Sequence, residues 1–176
     1  RRVLFRSNSI SLNGDRLAVA AQGDNTGAVH LFTGLNSANF GAVVWDSKIS
    51  SGSGNVASMP TFDAKFQFAS SVSLDGNLLA IGARGGGYYV GSTYTLWPGR
   101  VFLFSMDNSS NFSGLTYRAE LGSGTTNVAA GMPAFNAVDD SFGASVALSS
   151  GRMVVGAHGD DTGNIGDRKS TRLNSS

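Results

Sequence analysis

Residues 12–21 read LNGDRLAVAA, and this stretch decides the fold because the chain contains it three times. It recurs as LDGNLLAIGA at residues 74–83 and as LSSGRMVVGA at residues 148–157. Self-similarity at a long period indicates one supersecondary unit stacked on copies of itself. The repeat therefore predicts an architecture before any single side chain is interpreted, but it does not identify a reaction.

Each copy has the pattern of a β-hairpin. In the second copy, residues 68–74 predict one strand and residues 78–83 predict the next, joined by an Asp-Gly turn that tolerates positive φ values. The second strand is apolar at every position, which indicates that both of its faces are covered. We therefore expect the following second-strand side chains to be buried: Leu17, Val19, Leu79, Ile81, Met153 and Val155.

Two further strands complete each unit. A third strand is predicted at residues 27–32 and 99–104, and a weaker fourth near 43–49 and 116–121. Four antiparallel strands with doubly buried inner strands form the blade of a β-propeller. A parallel β-helix is the alternative, but its coils are shorter and make little use of Asn-Gly hairpins. We predict an all-β fold, a partial β-propeller of about two and a half four-stranded antiparallel blades.

The two ends of the chain are interpreted as foreign to the protein. Codons for residues 1–7 and 167–176 can be chosen so that the second coding string, with one A placed before it, opens with the reverse complement of the first. A sequencing adapter translated at both ends of a read would give this pattern. We expect 167–176 to lie outside any sheet, whereas Val3-Leu4-Phe5 can extend the first strand. The propeller fragment then spans 8–166, with copies near 8–50, 66–121 and 141–166.

Charge and composition argue against a nucleic-acid-binding protein, a disulfide-stabilised protein and a membrane-spanning protein. The two ends carry six of the 13 Lys and Arg residues and one of the 12 Asp and Glu residues. Without them, the net charge changes from +1 to −4, so the basic balance is no argument for a nucleic-acid partner. The absence of cysteine excludes a disulfide framework. No apolar stretch is long enough to cross a bilayer, so we expect no membrane insertion.

Two segments of the third copy carry a family resemblance. FGASVAL at residues 142–148 and VVGAHGDD at 154–161 resemble an FG-GAP repeat, the unit that builds the propeller of integrin α subunits and of many bacterial surface proteins. Residues 68–74 resemble a second copy, with Ala69 where the family has Gly. The chain most resembles bacterial haemagglutinin-like versions, whose Phe-Ser-Gly segment is matched at 112–114. This resemblance implies a propeller and an extracellular or cell-surface location.

The usual calcium site of that family is not carried over to this chain. In integrin-type repeats a calcium loop joins the first two strands, whereas here that link is a tight hairpin at each copy. Such turns are too short to supply the six to eight oxygens that calcium takes. We therefore predict no cofactor and no metal site, with calcium bound outside the usual loop as the alternative. The weak cation candidates are Asp24, Asp160 and Asp161, for which turn capping is the favoured interpretation.

Catalytic groups are sparse. His30 aligns with Phe102 on a strand, and this alignment favours an ordinary strand residue over a metal ligand. Glu120 is the only glutamate, and the aspartates fall mostly in turns, so no pair of carboxylates for glycoside cleavage is identified. We expect no catalytic residue and no enzymatic activity in this segment.

The loop from Arg84 to Gly99 is the main binding candidate. It contains four aromatic side chains, whereas the first copy has only residues 22–27 at this place. We expect it to share one rim with residues 55–63 and 127–136. Insertions on one face of a repeat protein often bind ligands, and aromatics with polar tips suit protein or glycan contact. Alternatively, the rings cover a neighbouring blade. The candidate binding residues are Tyr88, Tyr89, Tyr94 and Trp97.

These observations lead to a functional expectation. We expect a non-catalytic binding or adhesion scaffold that is extracellular or on the cell surface. The alternative is the propeller region of a larger secreted enzyme, for example a polysaccharide-active one, whose catalytic residues lie outside this sequence. A protein or glycan ligand is expected, and nucleic acid is not.

Overall fold

The computed structural model describes residues 7–24, 26–35, 42–62, 66–90, 93–97, 99–122, 141–158 and 170–174. Residues 86–90, 93–97 and 170–174 are described by their backbone alone. The secondary structure of these ranges consists almost entirely of β-strands, and the prediction of an all-β partial propeller is confirmed.

The first sheet contains four antiparallel strands in sequence order. They are β1 (Ser9–Asn13), β2 (Arg16–Ala21), β3 (Ala28–Thr33) and β4 (Val44–Ser50). The first two form the predicted hairpin, in which Asn13 pairs with Arg16 across the turn. Gly14 has a φ of 58°, the left-handed conformation that this turn requires.

The second sheet repeats this plan and contains an insertion. Its strands are β5 (Phe68–Asp75), β6 (Leu78–Ala83), β9 (Arg100–Ser105) and β10 (Thr116–Gly122), paired in that order. Between β6 and β9 lies a separate two-stranded hairpin of β7 (Gly86–Val90) and β8 (Thr93–Trp97). The sequence predicted a loop here. Strands form because tyrosine, threonine, valine and tryptophan all favour extended, pleated backbone.

The third sheet contains a strand that the sequence did not predict. It contains β11 (Ser145–Ser149), β12 (Arg152–Gly156) and β13 (Ser170–Asn174). The expectation that 167–176 lies outside any sheet is wrong, because β13 pairs with β12 over five residues. An edge strand such as β12 presents unpaired backbone groups that any extended segment can bond. Residues 1–6 lie outside the described residues, so the extension of the first strand by Val3–Phe5 stays a prediction.

The sheets stack face to face, with one hydrophobic core in each gap. β5 contacts β1 and β2 on one side and β11 on the other. The core between the first and second sheets is the larger one, and a smaller core lies between the second and third sheets. Side chains at the centre of the larger core include Val29, Leu31, Ile49, Leu79, Ile81 and Phe102.

Burial of the second strands follows the prediction in two copies of three. Leu79, Ile81, Met153 and Val155 are buried, as predicted. Leu17 and Val19 are only partly buried, so that part of the prediction is wrong. In β2 alternate residues face the second sheet, and Leu17 and Val19 lie on the opposite face.

Candidate functional site

The candidate binding loop is a regular hairpin that stands apart from the four strands of the second sheet. Tyr89 pairs with Tyr94 in the register of β7 and β8, and Tyr88 pairs with Thr95. Trp97 pairs with Gly86 at the open end of the hairpin. All four aromatic candidates therefore lie within the paired strands. Their side chains lie outside the described part of the chain, so their exposure stays a prediction.

Hydrogen bonds hold the base of this hairpin against the entry to the second sheet. The N–H of Gly85 donates to the carbonyl of Phe66 at 3.2 Å. Arg84 Nε donates to Gln67 Oε1 at 2.7 Å, and Gln22 Nε2 from the first sheet donates to the same oxygen at 2.9 Å. The hairpin thus starts beside the segment that enters β5 and beside the turn that follows β2. Residues 127–136, expected on the same rim, lie outside the described residues.

The turn after β2 contains the first cation candidate. The Asp24 carbonyl accepts the N–H of Gly27 at 2.7 Å, which closes the turn. Its carboxylate Oδ2 lies 3.4 Å from Lys48 Nζ and 3.4 Å from His30 Nε2. The carboxylate is therefore directed at two basic side chains of β3 and β4.

The pKa of His30 is lowered in this cluster. Burial lowers the pKa of His30, while the hydrogen bond and the negative charge of Asp24 act in the opposite direction. The positive charge of Lys48 lowers the pKa of His30 further. Asp160 and Asp161 lie outside the described residues. Within the described ranges, no three His, Asp or Glu side chains are grouped so that they could hold a metal ion.

A shallow depression on β4 was missed by the sequence analysis. It has a volume of about 410 Å³ and is lined by one aromatic side chain, one acid, one base and several short polar groups. Trp45 is 56% exposed there, although the equivalent Tyr117 of the second sheet packs against the hydrophobic core. The sequence feature that could have predicted this depression is Trp45 itself, a tryptophan in the fourth strand, whose alternation of polar and apolar residues is weak. The depression is lined by Trp45, Asp46, Ser47, Lys48, Ser50, Ser53 and Asn55.

Glu120, the only glutamate, is used in packing. It accepts a hydrogen bond from Arg100 Nη1, and the two side chains are partly buried. The Arg100 guanidinium in turn lies 4.8 Å from the centre of the Phe66 ring. This arrangement joins β9 and β10 to the segment that precedes β5, and it leaves Glu120 engaged with a cation.

The φ angles at the start of β5 and just before β11 follow the same pattern. Gln67 and Ser141 have φ values of 50° and 51°, and two residues later Ala69 and Gly143 have 64° and 84°. Phe68 and Phe142 lie between these positions, and both rings are buried.

Residues 136–170 match the FG-GAP repeat. This match supports the FG-GAP repeat family for the chain. The matched range contains β11 and β12, and the shared backbone of residues 67–69 and 141–143 extends the structural likeness to the second copy. No curated protein shows significant similarity to the chain. Among the described residues no helix is long and apolar enough to span a membrane.

Proposed function

We propose that the chain is part of a non-catalytic binding or adhesion scaffold that works outside the cell or on its surface, with the β7–β8 hairpin as its recognition element. FG-GAP repeats occur in extracellular adhesion and propeller proteins, which supports the general class. The observation that carries the proposal is the hairpin itself. It occupies residues 86–97, whereas the first sheet connects the same two strands by residues 22–27.

The chemistry of the hairpin favours a protein or glycan ligand. Tyrosine and tryptophan combine a large apolar ring with a hydrogen-bonding group, and their few rotatable bonds make them inexpensive to order on binding. The three tyrosines and Trp97 are concentrated in two short paired strands. The hydrogen bonds at Gly85 and Arg84 fix the base of the hairpin, so the ligand would meet a prepositioned element.

A non-catalytic role fits the acidic side chains of the described part. Glu120 pairs with Arg100, and Asp24 contacts Lys48 and His30. Asp75 Oδ2 accepts the N–H of Ser150 at 2.6 Å and so bridges the second and third sheets. Each of these carboxylates has a structural partner, and none is set beside a second carboxylate in a shared contact.

The test is retention of the purified 176-residue chain on a glycan array and on immobilised matrix proteins. The triple variant Tyr88→Ala, Tyr89→Ala, Trp97→Ala should lose at least about tenfold in affinity, since buried aromatic anchors usually carry 2 kcal/mol or more. Trp45→Ala is the matched control, because it removes an exposed aromatic from β4. Circular dichroism verifies that each variant is folded. Equal retention by the folded triple variant would remove the hairpin from the site, and loss by Trp45→Ala alone would move the site to the depression on β4.

A further inference from the structure

Arg84, which directly follows β6, is held both at its backbone and at its side chain. Its backbone N–H donates to Ser70 Oγ at 3.1 Å, and its Nε donates to Gln67 Oε1 at 2.7 Å. The next N–H, that of Gly85, donates to the carbonyl of Phe66 at 3.2 Å. Nε uses one of the five N–H groups of the guanidinium, so four remain on the two terminal nitrogens. The exposed side chain therefore presents these nitrogens in a defined position beside the start of the β7–β8 hairpin.

The contact with Arg84 also determines the orientation of three amide side chains. Because Nε can only donate, the atom of Gln67 that it contacts is the carbonyl oxygen. Gln22 then reaches the same oxygen through its amide nitrogen at 2.9 Å, and Asn8 Nδ2 donates to the Gln22 oxygen at 2.6 Å. Both contacts to Gln67 are made to its oxygen, so its amide N–H groups keep their capacity to donate to a ligand.

These four residues form a group of donors with one positive charge. We call Asn8, Gln22, Gln67 and Arg84 the amide–arginine cluster. In the described part of the chain, the ion pairs are made by other basic side chains, and none involves Arg84. Arg100, by contrast, is paired with Glu120. A guanidinium with free terminal nitrogens matches the two oxygens of a carboxylate, which it can bind through two parallel hydrogen bonds.

The repeat fixes the backbone of the cluster and leaves its side chains variable. Ser141 has nearly the φ of Gln67, 51° against 50°. Gln22 and His158 stand directly after the first and third copies of the repeated segment, where Arg84 stands after the second. The fold of a repeat therefore does not require an arginine and a glutamine at these two positions. The pair occurs in the second copy, which is also the copy with the inserted hairpin.

We propose that the amide–arginine cluster is a carboxylate subsite for an acidic polysaccharide that contains uronic acid units. Arg84 takes the carboxylate through its terminal nitrogens, and the amide N–H groups of Gln67 donate to hydroxyl oxygens of the same sugar. The next sugar units extend toward β7 and β8. The inference rests on the proposed function in one respect, because it names the ligand class that the hairpin would share.

A uronic acid fits the cluster better than an acidic peptide does. One uronic acid unit carries a carboxylate and several hydroxyl groups on a single ring, and the cluster places a guanidinium beside an amide that can donate to such hydroxyls. Protein partners are instead bound mainly through apolar or aromatic anchors that enter buried pockets. The cluster itself consists of polar side chains, so it offers an acidic peptide a charge without such an anchor site.

The experiment is titration calorimetry of the 176-residue chain with oligosaccharides of galacturonic, mannuronic or glucuronic acid, each beside its carboxyl-reduced neutral form. Poly-glutamate is the peptide probe. Arg84→Met removes the charge, and Gln67→Glu keeps an acceptor for Arg84 Nε and Gln22 Nε2 while it adds a carboxylate that neutralises Arg84. Arg118→Met is the matched control, since Arg118 is also exposed and also donates through Nε to one side chain, Ser105 Oγ at 2.6 Å.

We expect the parent chain and Arg118→Met to bind at least one acidic oligosaccharide, and to bind its neutral form at least about tenfold more weakly, because hydrogen bonds to charged groups are the strong ones. Arg84→Met and Gln67→Glu should each lose at least about tenfold in affinity for the acidic form. Gln67→Glu separates a ligand contact from a structural role, since it retains the internal hydrogen bonds. Binding should also weaken as sodium chloride is added, because salt screens exposed charges.

Several outcomes would overturn the subsite. They are equal binding of the acidic and neutral forms by the parent, no binding of any acidic oligosaccharide, and parent-like affinity in the folded Arg84→Met and Gln67→Glu variants. Stronger binding of poly-glutamate than of every oligosaccharide would indicate an acidic protein ligand instead. The comparison of acidic and neutral forms uses the parent chain alone, so it does not depend on the folding of any variant.

Failure of the subsite and failure of the hairpin give different results. If the triple variant of Tyr88, Tyr89 and Trp97 loses binding and Arg84→Met retains it, the hairpin remains the recognition element and the carboxylate subsite is wrong. If Arg84→Met loses binding and the triple variant retains it, the subsite stands and the hairpin is removed from the site.

Discussion

Ala69 at the start of β5 and Gly143 just before β11 occupy equivalent positions with a left-handed backbone, and only one of the two is glycine. Gly143 has a φ of 84°, and a Cβ there would overlap the carbonyl oxygen of Arg100. Ala69 occupies the equivalent place with a φ of 64° and is fully buried. The family pattern predicted glycine at this position, and the backbone explains why: a residue with a Cβ is strained there.

The two positions should respond differently to exchange. Gly143→Ala should lower the free energy of unfolding by more than about 1 kcal/mol, since strain and overlap act together. For Ala69→Gly, relief of about 1–2 kcal/mol of strain is opposed by about 0.8 kcal/mol of lost methyl burial and by the flexibility of glycine. That variant should therefore stay within about 1 kcal/mol of the parent. Urea unfolding of both variants measures these changes in the free energy of unfolding. A larger loss of stability for Ala69→Gly than for Gly143→Ala would contradict this account.

Arg16 shows where prediction from the sequence fails at the scale of one residue. An arginine directly after a turn gives no sign of burial, yet this side chain is fully buried. Its guanidinium lies 5.6 Å from the Phe112 ring centre and its Nη1 is 3.5 Å from Met106 Sδ. These partners are 90 or more residues away in sequence, so no local pattern contains them. Burial also lowers the pKa of the Arg16 guanidinium from its usual value.

At the scale of elements, the strands of the repeat were predicted well and the additions were not. β1, β2, β5, β6 and β12 follow from alternation, Asx-Gly turns and apolar runs, which are local signals. The β7–β8 hairpin and β13 were interpreted as a loop and as a segment outside the sheets. β13 depends on the free edge of β12, which is a property of the assembled sheet and not of residues 170–174.

The interface between the first two sheets gives a prediction for Arg16. Arg16→Met keeps an unbranched chain beside Phe112 and Met106 and removes a buried charge, so stability should change by less than about 1.5 kcal/mol. Arg16→Ala should cost about 2–5 kcal/mol, because it leaves a cavity between the sheets. The measurement is the urea midpoint of each variant. Arg118→Met, on the exposed side of β10, is the control and should lie within about 0.5 kcal/mol of the parent. Equal losses for Met and Ala would show that the hydrogen bonds, and not the packing, determine the effect.

At the scale of the whole molecule, the order of the stack follows from the repeat. The sequence predicted sheets packed face to face, and the structure has two cores that each join one sheet to the next. The sequence did not predict that the first core is the larger one. Phe62, Phe66 and Val56 from the segment between the first two sheets enlarge it, and these residues precede β5 without any strand pattern. The β7–β8 hairpin follows β6 of the middle sheet, and Gln22 of the first sheet donates a hydrogen bond to Gln67 beside the base of the hairpin.

A stack of this kind predicts a gradient of local stability. Repeat proteins gain stability from nearest-neighbour contacts, so a sheet with two neighbours should open last. We expect the slowest amide hydrogen exchange in β6 and β9, the central strands of the second sheet, where Leu79, Ile81 and Phe102 are almost fully buried. β2 and β3 should exchange faster, and β11 and β12 fastest, because the smaller core covers only one face of the third sheet. Amide hydrogen exchange measured by mass spectrometry tests this order. Protection in β12 equal to that in β6 would show that the three sheets open as one unit, and the nearest-neighbour account would then be wrong.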